Sequence, residues 1–556
     1  MLLNAVIEEK SMGTKHLFSG LKLHVEQGEK VAIIGRNGVG KTTLFRMLVG
    51  LDKDYAGSIS AQPGARVIAT AQEHTGLGDT TVMQYILHRL PEYLELKHVI
   101  DTYPETMGDD IRKITRYSEA LERFGVLDYY DVENRIEQSL DDYQLSGKAD
   151  LPMASLSGGQ KRFVELIAVE HADADLALID EPTNHMDYVA KAAFLDWFTS
   201  VKRAVVVISH DRDVLAHVDR IIEIKNGASD AFSGNYQTYL SQNAQNAAAE
   251  MHDYATAQRT LENLHKQIQS VRAKKASTSK TPNPFIPLEK RLLKQYAEVE
   301  MAMQEPNFWI DRESAAGLNK KVSDNYDKFK AKNIRLHKTS THEHSKELLR
   351  VEDLQLGYGE TALFQPVNFQ LQHGDRLRLI GRNGAGKTTL VRALEDAAHE
   401  KRSETWRGGA IFCDRSLRMS VYEQEAGKEL LEMPLGAAIA HIYDHLDLPS
   451  TDEAVMRTMG NYLFNPYEDA KTLVKDLSGG QKARLQIIKM LAGDPNMLIL
   501  DEPTNHLDLP SIEELENALR DYHGALLYIS HDSYLAKNLG GSELFLAAQT
   551  DDNKPA

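Results

Sequence analysis

The chain has 556 residues, more than one compact core accommodates, so length points to two or three domains. Charged residues make up 26%, and the longest apolar runs, such as Ala204–Ile208, are strand-sized, far short of the roughly 20 residues needed to cross a bilayer, which excludes a membrane-spanning permease. Cys413 is the single cysteine, excluding an intrachain disulfide, a four-cysteine zinc site and an iron–sulfur cluster, while 64 basic against 81 acidic side chains give a net charge of −17. No basic start followed by an apolar run marks a secretory signal, so a reducing cytosol is the expected setting.

The first element of chemical interest is a strand-like run, Val31 to Ile34, leading into Gly35-Arg36-Asn37-Gly38-Val39-Gly40-Lys41-Thr42-Thr43 and then a helix-like stretch through Leu48. Strand, G-x-x-x-x-G-K-[ST] and helix in that order are the context of a phosphate-binding loop. Glycines let backbone N–H groups close around phosphates, and the helix N-terminus adds partial positive charge. Lys41 is placed to reach β- and γ-phosphates, with Thr42 as a Mg²⁺ ligand. Further on come Leu156-Ser157-Gly158-Gly159-Gln160, an apolar run ending in Asp180-Glu181-Pro182-Thr183-Asn184-His185, and Ser209-His210-Asp211.

Residues 236–346 are far too long for an ordinary loop. Tyr254, Ala257, Leu261, Leu264, Ile268 and Val271 recur at heptad-like spacing, predicting a helix from about Gln237 to Arg272, roughly 50 Å long. Pro282, Pro284 and Pro287 break it. Leu288, Leu292, Tyr296, Val299 and Met303 then form a second stripe, so an antiparallel hairpin is expected, with a third helical stretch around Leu318, Val322, Tyr326 and Phe329. Residues 251–350 hold 19 Lys/Arg against 12 Asp/Glu, and Arg272, Lys274, Lys275, Lys280, Lys290 and Arg291 crowd the turn. A cationic tip on an acidic protein confines contact with a polyanion such as RNA to that one element. Phe285 and Ile286 either insert into a cleft or cap the hairpin's own core. His342-Glu343-His344 reads as a solvated loop rather than a metal site.

After the linker every motif returns: Gly381-Arg382-Asn383-Gly384-Ala385-Gly386-Lys387-Thr388-Thr389, Leu477-Ser478-Gly479-Gly480-Gln481, Asp501-Glu502-Pro503-Thr504-Asn505-His506, and Ser530-His531-Asp532. The expected fold is therefore α/β: two P-loop cassettes, 1–235 and 347–547, joined by a long α-helical hairpin linker at 236–346, with a short polar tail at 548–556. The offset between copies is 346 residues at the P-loop lysines, 352 between Gln72 and Gln424, and 321 between Ser157 and Ser478, so the first cassette carries 31 extra residues there. Residues 101–150 hold 13 acidic against 6 basic side chains, making the insertion at about 80–150 an acidic arm, either a solvated decoration or a surface for a basic protein.

This ordered set of motifs, complete in both copies, resembles the ATP-binding cassette superfamily. The resemblance implies that Asp180 and Asp501 hold Mg²⁺ through water, with Gln72 and Gln424 completing the metal shell. It makes Glu181 and Glu502 the general bases toward the attacking water, and His210 and His531 the groups that fix its position. Ser157, Gly158, Gly159 and Gln160 would cap the ATP on Lys387, and Ser478, Gly479, Gly480 and Gln481 the ATP on Lys41. Tyr358 stands where an adenine-stacking aromatic is expected and Met12 takes the equivalent place in the first cassette, implying weaker or less base-selective binding there. Both sites are expected to hydrolyse ATP.

Tandem cassettes, no transmembrane segment, a long helical linker and Ser233-Gly234-Asn235-Tyr236 before it are similar to the ABC-F proteins. That resemblance implies a cytoplasmic ATPase, monomeric with its cassettes pairing within the chain. Closed by ATP, it would bind the ribosome and its RNA near the tRNA exit site, with the linker toward the P-site tRNA and peptidyl-transferase centre. The acidic arm would meet ribosomal protein or RNA, and hydrolysis would release the protein. Protection of the ribosome from antibiotics is favoured by the long proline-rich tip, a general translation factor being the alternative. From another class, the rival is the ATPase subunit of a transporter with a separate permease.

Overall fold

A computed structural model of the chain describes residues 1–13, 15–70, 79–143, 145–184, 186–225, 227–277, 284–302, 347–359, 361–401, 403–422, 427–462, 464–467, 469–477, 479–505 and 507–547. Gln72, Gln424, Ser478, Lys280, Met303, the 318–329 stretch, His342-Glu343-His344 and the 548–556 tail lie outside them. Contacts divide the chain into two compact units, Met1–Asn235 with Arg335–Ala556, and Tyr236–Ile334.

The first unit holds both cassettes, built on one plan. Leu176–Asp180 and Ala204–Ile208 are near-continuous apolar runs buried at every position, as parallel strands covered on both faces must be. They lie in a six-stranded sheet ordered Val67–Ala69, Leu176–Asp180, Ala204–Ile208, Lys30–Gly35, Arg220–Lys225 and Ala228–Ser233, parallel except for the last strand. Lys30–Gly35 thus sits between two strands that come later in the chain, and its carboxyl end opens on a crevice where the phosphate-loop helix Lys41–Leu48 begins. A smaller antiparallel sheet centres Leu3–Met12 between Lys15–Val25 and Ala56–Ala61. One core joins the two sheets, with Ile7, Phe18 and Leu21 packed in a cluster with Ile33, Leu44 and Val206.

The second cassette repeats this with five parallel strands: Met419–Tyr422, Met497–Asp501, Ala525–Ile529, Arg376–Ile380 and Ser542–Phe545. Its antiparallel sheet is centred on Glu347–Tyr358. The cassettes differ in their arms. The first carries helices Tyr93–Thr106, Ile111–Val126 and Val132–Asp142, held by a Tyr93–Phe124–Tyr129 ring cluster and by Arg123 gripping Glu92 at 2.9 and 2.7 Å. In the second, Leu435–His445 and Asp452–Asn461 pack around Ile439, Ile442 and Met459.

The second unit pairs the helices Tyr236–Ser277 and Phe285–Ala302. The first, at 42 residues, is about 63 Å long, five residues longer at its C-terminal end than the apolar stripe predicts. Ile268, Val271 and Leu292 are buried between the helices, with Leu264, Phe285 and Tyr296 packed against them. Phe285 therefore caps the hairpin core, while Ile286 is 52% exposed. Leu288, read as a seam position, is 42% exposed instead. The seam on that helix runs Phe285, Glu289, Leu292, Tyr296 and Val299, a 4,3,4,3 spacing that leaves Leu288 one position early. Pro287 does not break the helix, because it lies in the first turn, where its missing N–H has no intrahelical partner to lose. Glu289 bridges Arg272 at 2.8 Å and Lys275 at 2.7 Å, so two of the turn's cations face a carboxylate within the hairpin. Lys274, Lys290 and Arg291 are exposed.

Candidate functional site

Each phosphate loop folds over a phenylalanine. Gly40, at φ +100°, and Gly386, at φ +91°, are the residues immediately before their helices, and a Cβ on either would meet the Phe18 or Phe364 ring at about 2.9–3.0 Å. The left-handed backbone and the ring together require glycine. Gly35, Asn37 and Gly38, with Gly381, Asn383 and Gly384, complete the loops, and Thr43 and Thr389 lie in the first turn of each helix. Lys41 and Lys387 curl back so that each Nζ donates to two carbonyls of its own loop, at 2.6 Å (Gly35) and 3.3 Å (Arg36), and at 2.7 Å (Gly381) and 3.0 Å (Arg382). Burial lowers both ammonium groups below the usual lysine range, against the pull of Glu181 and Glu502 respectively.

The hydroxyl of Thr42 donates to Asp180 Oδ2 at 2.9 Å, and that of Thr388 to Asp501 Oδ2 at 2.8 Å. A hydroxyl and a carboxylate beside an amide-lined loop and a buried ammonium form a hard-oxygen set that fits Mg²⁺ with a nucleotide phosphate. The next residues, Glu181 and Glu502, turn sharply out of their strands at φ +45° and +48°. Their N–H groups bond Ile208 and Ile529 carbonyls at 2.8 and 3.0 Å. Burial, reinforced by Asp180, lifts the Glu181 carboxyl to about 8 against Lys41. Burial and Asp501 lift that of Glu502 to about 7. His210 Nε2 lies 3.5 Å from Glu181 and His531 Nε2 3.2 Å from Glu502. Burial drives His210 well below the usual histidine range and His531 down to about 4, so both rings are neutral.

A cavity of about 1060 Å³ runs between the cassettes, lined by Ser157, Gly158, Glu181 and His210 from the first and by Tyr358, Asn383, Lys387, Glu502 and His531 from the second. Ser157 is the N-cap of helix Gly158–His171: its Oγ accepts from Gln160 N–H at 3.3 Å, and its own N–H donates to Gln160 Oε1 at 3.0 Å. That leaves the Gln160 carbonyl engaged with the cap rather than free for a ligand. Gly159 is buried within the same turn. In the second cassette Gly479 and Gly480 open the helix Gly479–Leu491, and Gln481 Nε2 donates to Asp469 at 3.4 Å. Met12 and Tyr358 take matching places at the ends of Leu3–Met12 and Glu347–Tyr358, 62% and 61% exposed.

Several residues with evident work in this site escape motif reading. Asp187 Oδ2 accepts from Asn383 N–H at 3.0 Å, and Asp508 Oδ2 from Asn37 N–H at 3.3 Å, so each reaches the other cassette's phosphate loop. Each also caps the helix that follows it. The signal was present, since the repeat continues to Asp187 and Asp508 in equal register past His185 and His506. Lys191 and Arg212 carried no such signal, because their counterparts in the second cassette are Ile512 and Ser533. Arg212, buried, bridges Glu516 and also Asp532 at 3.0 Å, and lies over the Tyr534 ring.

The sequence profile of the ABC transporter family matches residues 18–184 and 364–505, and a second profile, also described as ABC transporter, matches 222–282. The chain is 29% identical over 99% of its length to the ATP-binding protein YdiF of Bacillus subtilis (strain 168), covering 80% of that protein. It is 27% identical to the energy-dependent translational throttle protein EttA of Escherichia coli (strain K12), covering 94% of this chain and 87% of that one. ABC transporter F family member 2 of Arabidopsis thaliana is also 27% identical, over 93% and 72%. A solved structure of RNase-L Inhibitor shares the fold, with a TM-score of 0.53 and 15% identity over 98% of this chain and 87% of that one. No described helix is long and apolar enough to cross a membrane. Profiles over both cassettes and relatives matched along most of their length carry one conclusion: the chain belongs to the ABC transporter family, as a tandem-cassette ATPase of its ABC-F group.

Proposed function

We propose that the two cassettes close on two ATP molecules, that the closed form binds the ribosome with the linker beside the P-site tRNA and peptidyl-transferase centre, and that hydrolysis releases it. The observation that carries the switch is the cavity in which Ser157 and Gly158 of one cassette stand with the Asn383–Thr389 loop of the other. A ligand lying there touches both halves, and so stabilises their closure.

Within that reading Lys41 and Lys387 hold the β- and γ-phosphates. Thr42 with Asp180, and Thr388 with Asp501, hold Mg²⁺, joined by Gln72 and Gln424; the bound ion supplies neutralisation of phosphate charge. Glu181 and Glu502 take the proton of the attacking water at a carboxylate oxygen. Carboxyls raised to about 8 and about 7 are stronger bases, once ionised, than ordinary glutamates. His210 and His531, neutral through burial, orient the water or γ-phosphate. Ser157 and Gly158 cover the nucleotide on Lys387, on whose adenine the Tyr358 ring stacks, and Ser478 and Gly479 cover that on Lys41.

The ribosome as partner is supported by likeness to a translational throttle protein and by a cationic hairpin on an acidic chain. That relative's name favours control of translation over antibiotic protection. The test is co-sedimentation of the Glu181→Gln/Glu502→Gln double variant with ribosomes in ATP. Retention that weakens about a hundredfold between 50 and 200 mM salt is expected from about five phosphate contacts. Retention on membranes instead refutes it.

A further inference from the structure

One lysine contacts the histidine segments of both hydrolytic sites. Lys191, in the helix Tyr188–Ser200 of the first cassette, is 7% exposed and has three N–H donors. All three are matched: Asp211 Oδ2 at 2.8 Å, Asp213 Oδ2 at 2.6 Å and the backbone carbonyl of His531 at 3.0 Å. Asp211 directly follows His210, so the lysine touches the side chain of the first-site histidine's neighbour and, in the other cassette, the backbone carbonyl of the second site's histidine. Burial works against its charge, but the two aspartates outweigh this and raise it above the usual lysine range. Ser533, two residues beyond His531, donates to Asp213 Oδ1 at 2.5 Å and closes the ring of contacts.

The tie runs one way. The residue four places after Asp508, as Lys191 is four after Asp187, is Ile512, a buried apolar side chain that offers the His210 carbonyl no donor. We propose that Lys191 is a positioning residue that holds the backbone of His531 in register with Asp211 and Asp213, so that hydrolysis in the second site depends on the state of the first. With its three donors on Asp211, Asp213 and the His531 carbonyl, it acts through the histidine's main chain. This rests on the reading of His531 as the second site's water- or phosphate-orienting group.

The experiment isolates each site by disabling the other, using Glu181→Gln for second-site turnover and Glu502→Gln for first-site turnover. Lys191→Met leaves two half-buried aspartates without their cation, so Lys191→Met/Asp213→Asn accompanies it to keep the local charge balanced should the single variant not fold. In the Glu181→Gln background, kcat is expected to fall about tenfold, with KM for ATP changed less than about twofold, since a misplaced group acts in the transition state. In the Glu502→Gln background the loss is smaller. Lys191→Arg, which keeps a donor and the charge, restores most of the second-site rate. An unchanged kcat, a loss expressed in KM, or an equal loss in both backgrounds overturns the proposal. His531→Ala in the Glu181→Gln background separates the two levels. If it leaves turnover intact, the role of His531 fails and takes this inference with it; if it slows turnover where the Lys191 variants do not, only the coupling fails.

Discussion

Glu181 and Glu502 each follow a metal-ligand candidate, and burial gives each a carboxyl that holds its proton to unusually high pH. A general base works only when ionised, so activity is lost as pH falls through its titration. With Glu181→Gln leaving the second site, kcat/KM is expected to rise through about pH 7; with Glu502→Gln leaving the first, through about pH 8. The double variant should lose at least about a hundredfold in kcat. Steady-state phosphate release between pH 5.5 and 9 measures all three, and a profile shared by both single variants contradicts the assignment. These carboxylates were legible because their motif is short and the backbone of a strand end dictates its geometry. Lys191 was not, since its carbonyl partner lies 340 residues away and its own repeat position offers isoleucine.

At the level of elements, the hairpin shows what periodicity sees and what it misses. The stripe from Tyr254 to Val271 predicts the long helix correctly because heptad spacing holds throughout it. The second stripe was read one position out at its start because Leu288 is apolar, whereas the seam position belongs to the charged Glu289. Glu289 is tolerated there because Arg272 and Lys275 meet its two oxygens, holding its carboxyl below the usual range. Charge counting along the sequence therefore overstates the cations on offer to RNA. Glu289→Gln should release both, steepening the log–log salt dependence of ribosome binding by about one to two units. Titrating salt against binding for the parent and this variant decides it; unchanged slopes mean that Arg272 and Lys275 touch no phosphate.

Across the whole two-cassette unit, ionic and hydrogen-bonded contacts join the halves. Arg212 supplies a single cation to Glu516 and Asp532, all three buried or nearly so. Arg212→Ala leaves two carboxylates without that partner in a poorly solvated place, which costs roughly 3 kcal/mol. Faster amide exchange in Ser533–Leu539 is the expected sign, and unaltered exchange refutes it. A last consequence belongs to the sharp turns at Glu181 and Glu502, whose φ values of +45° and +48° are unfavourable for any residue with a side chain. Glycine accepts that geometry, and replacing the glutamate also removes an ionisable group whose charge burial disfavours. Glu181→Gly/Glu502→Gly should therefore melt above the parent while hydrolysing nothing: evolution has kept the molecule less robust than its own sheet permits, and the surplus fragility marks where catalysis is done.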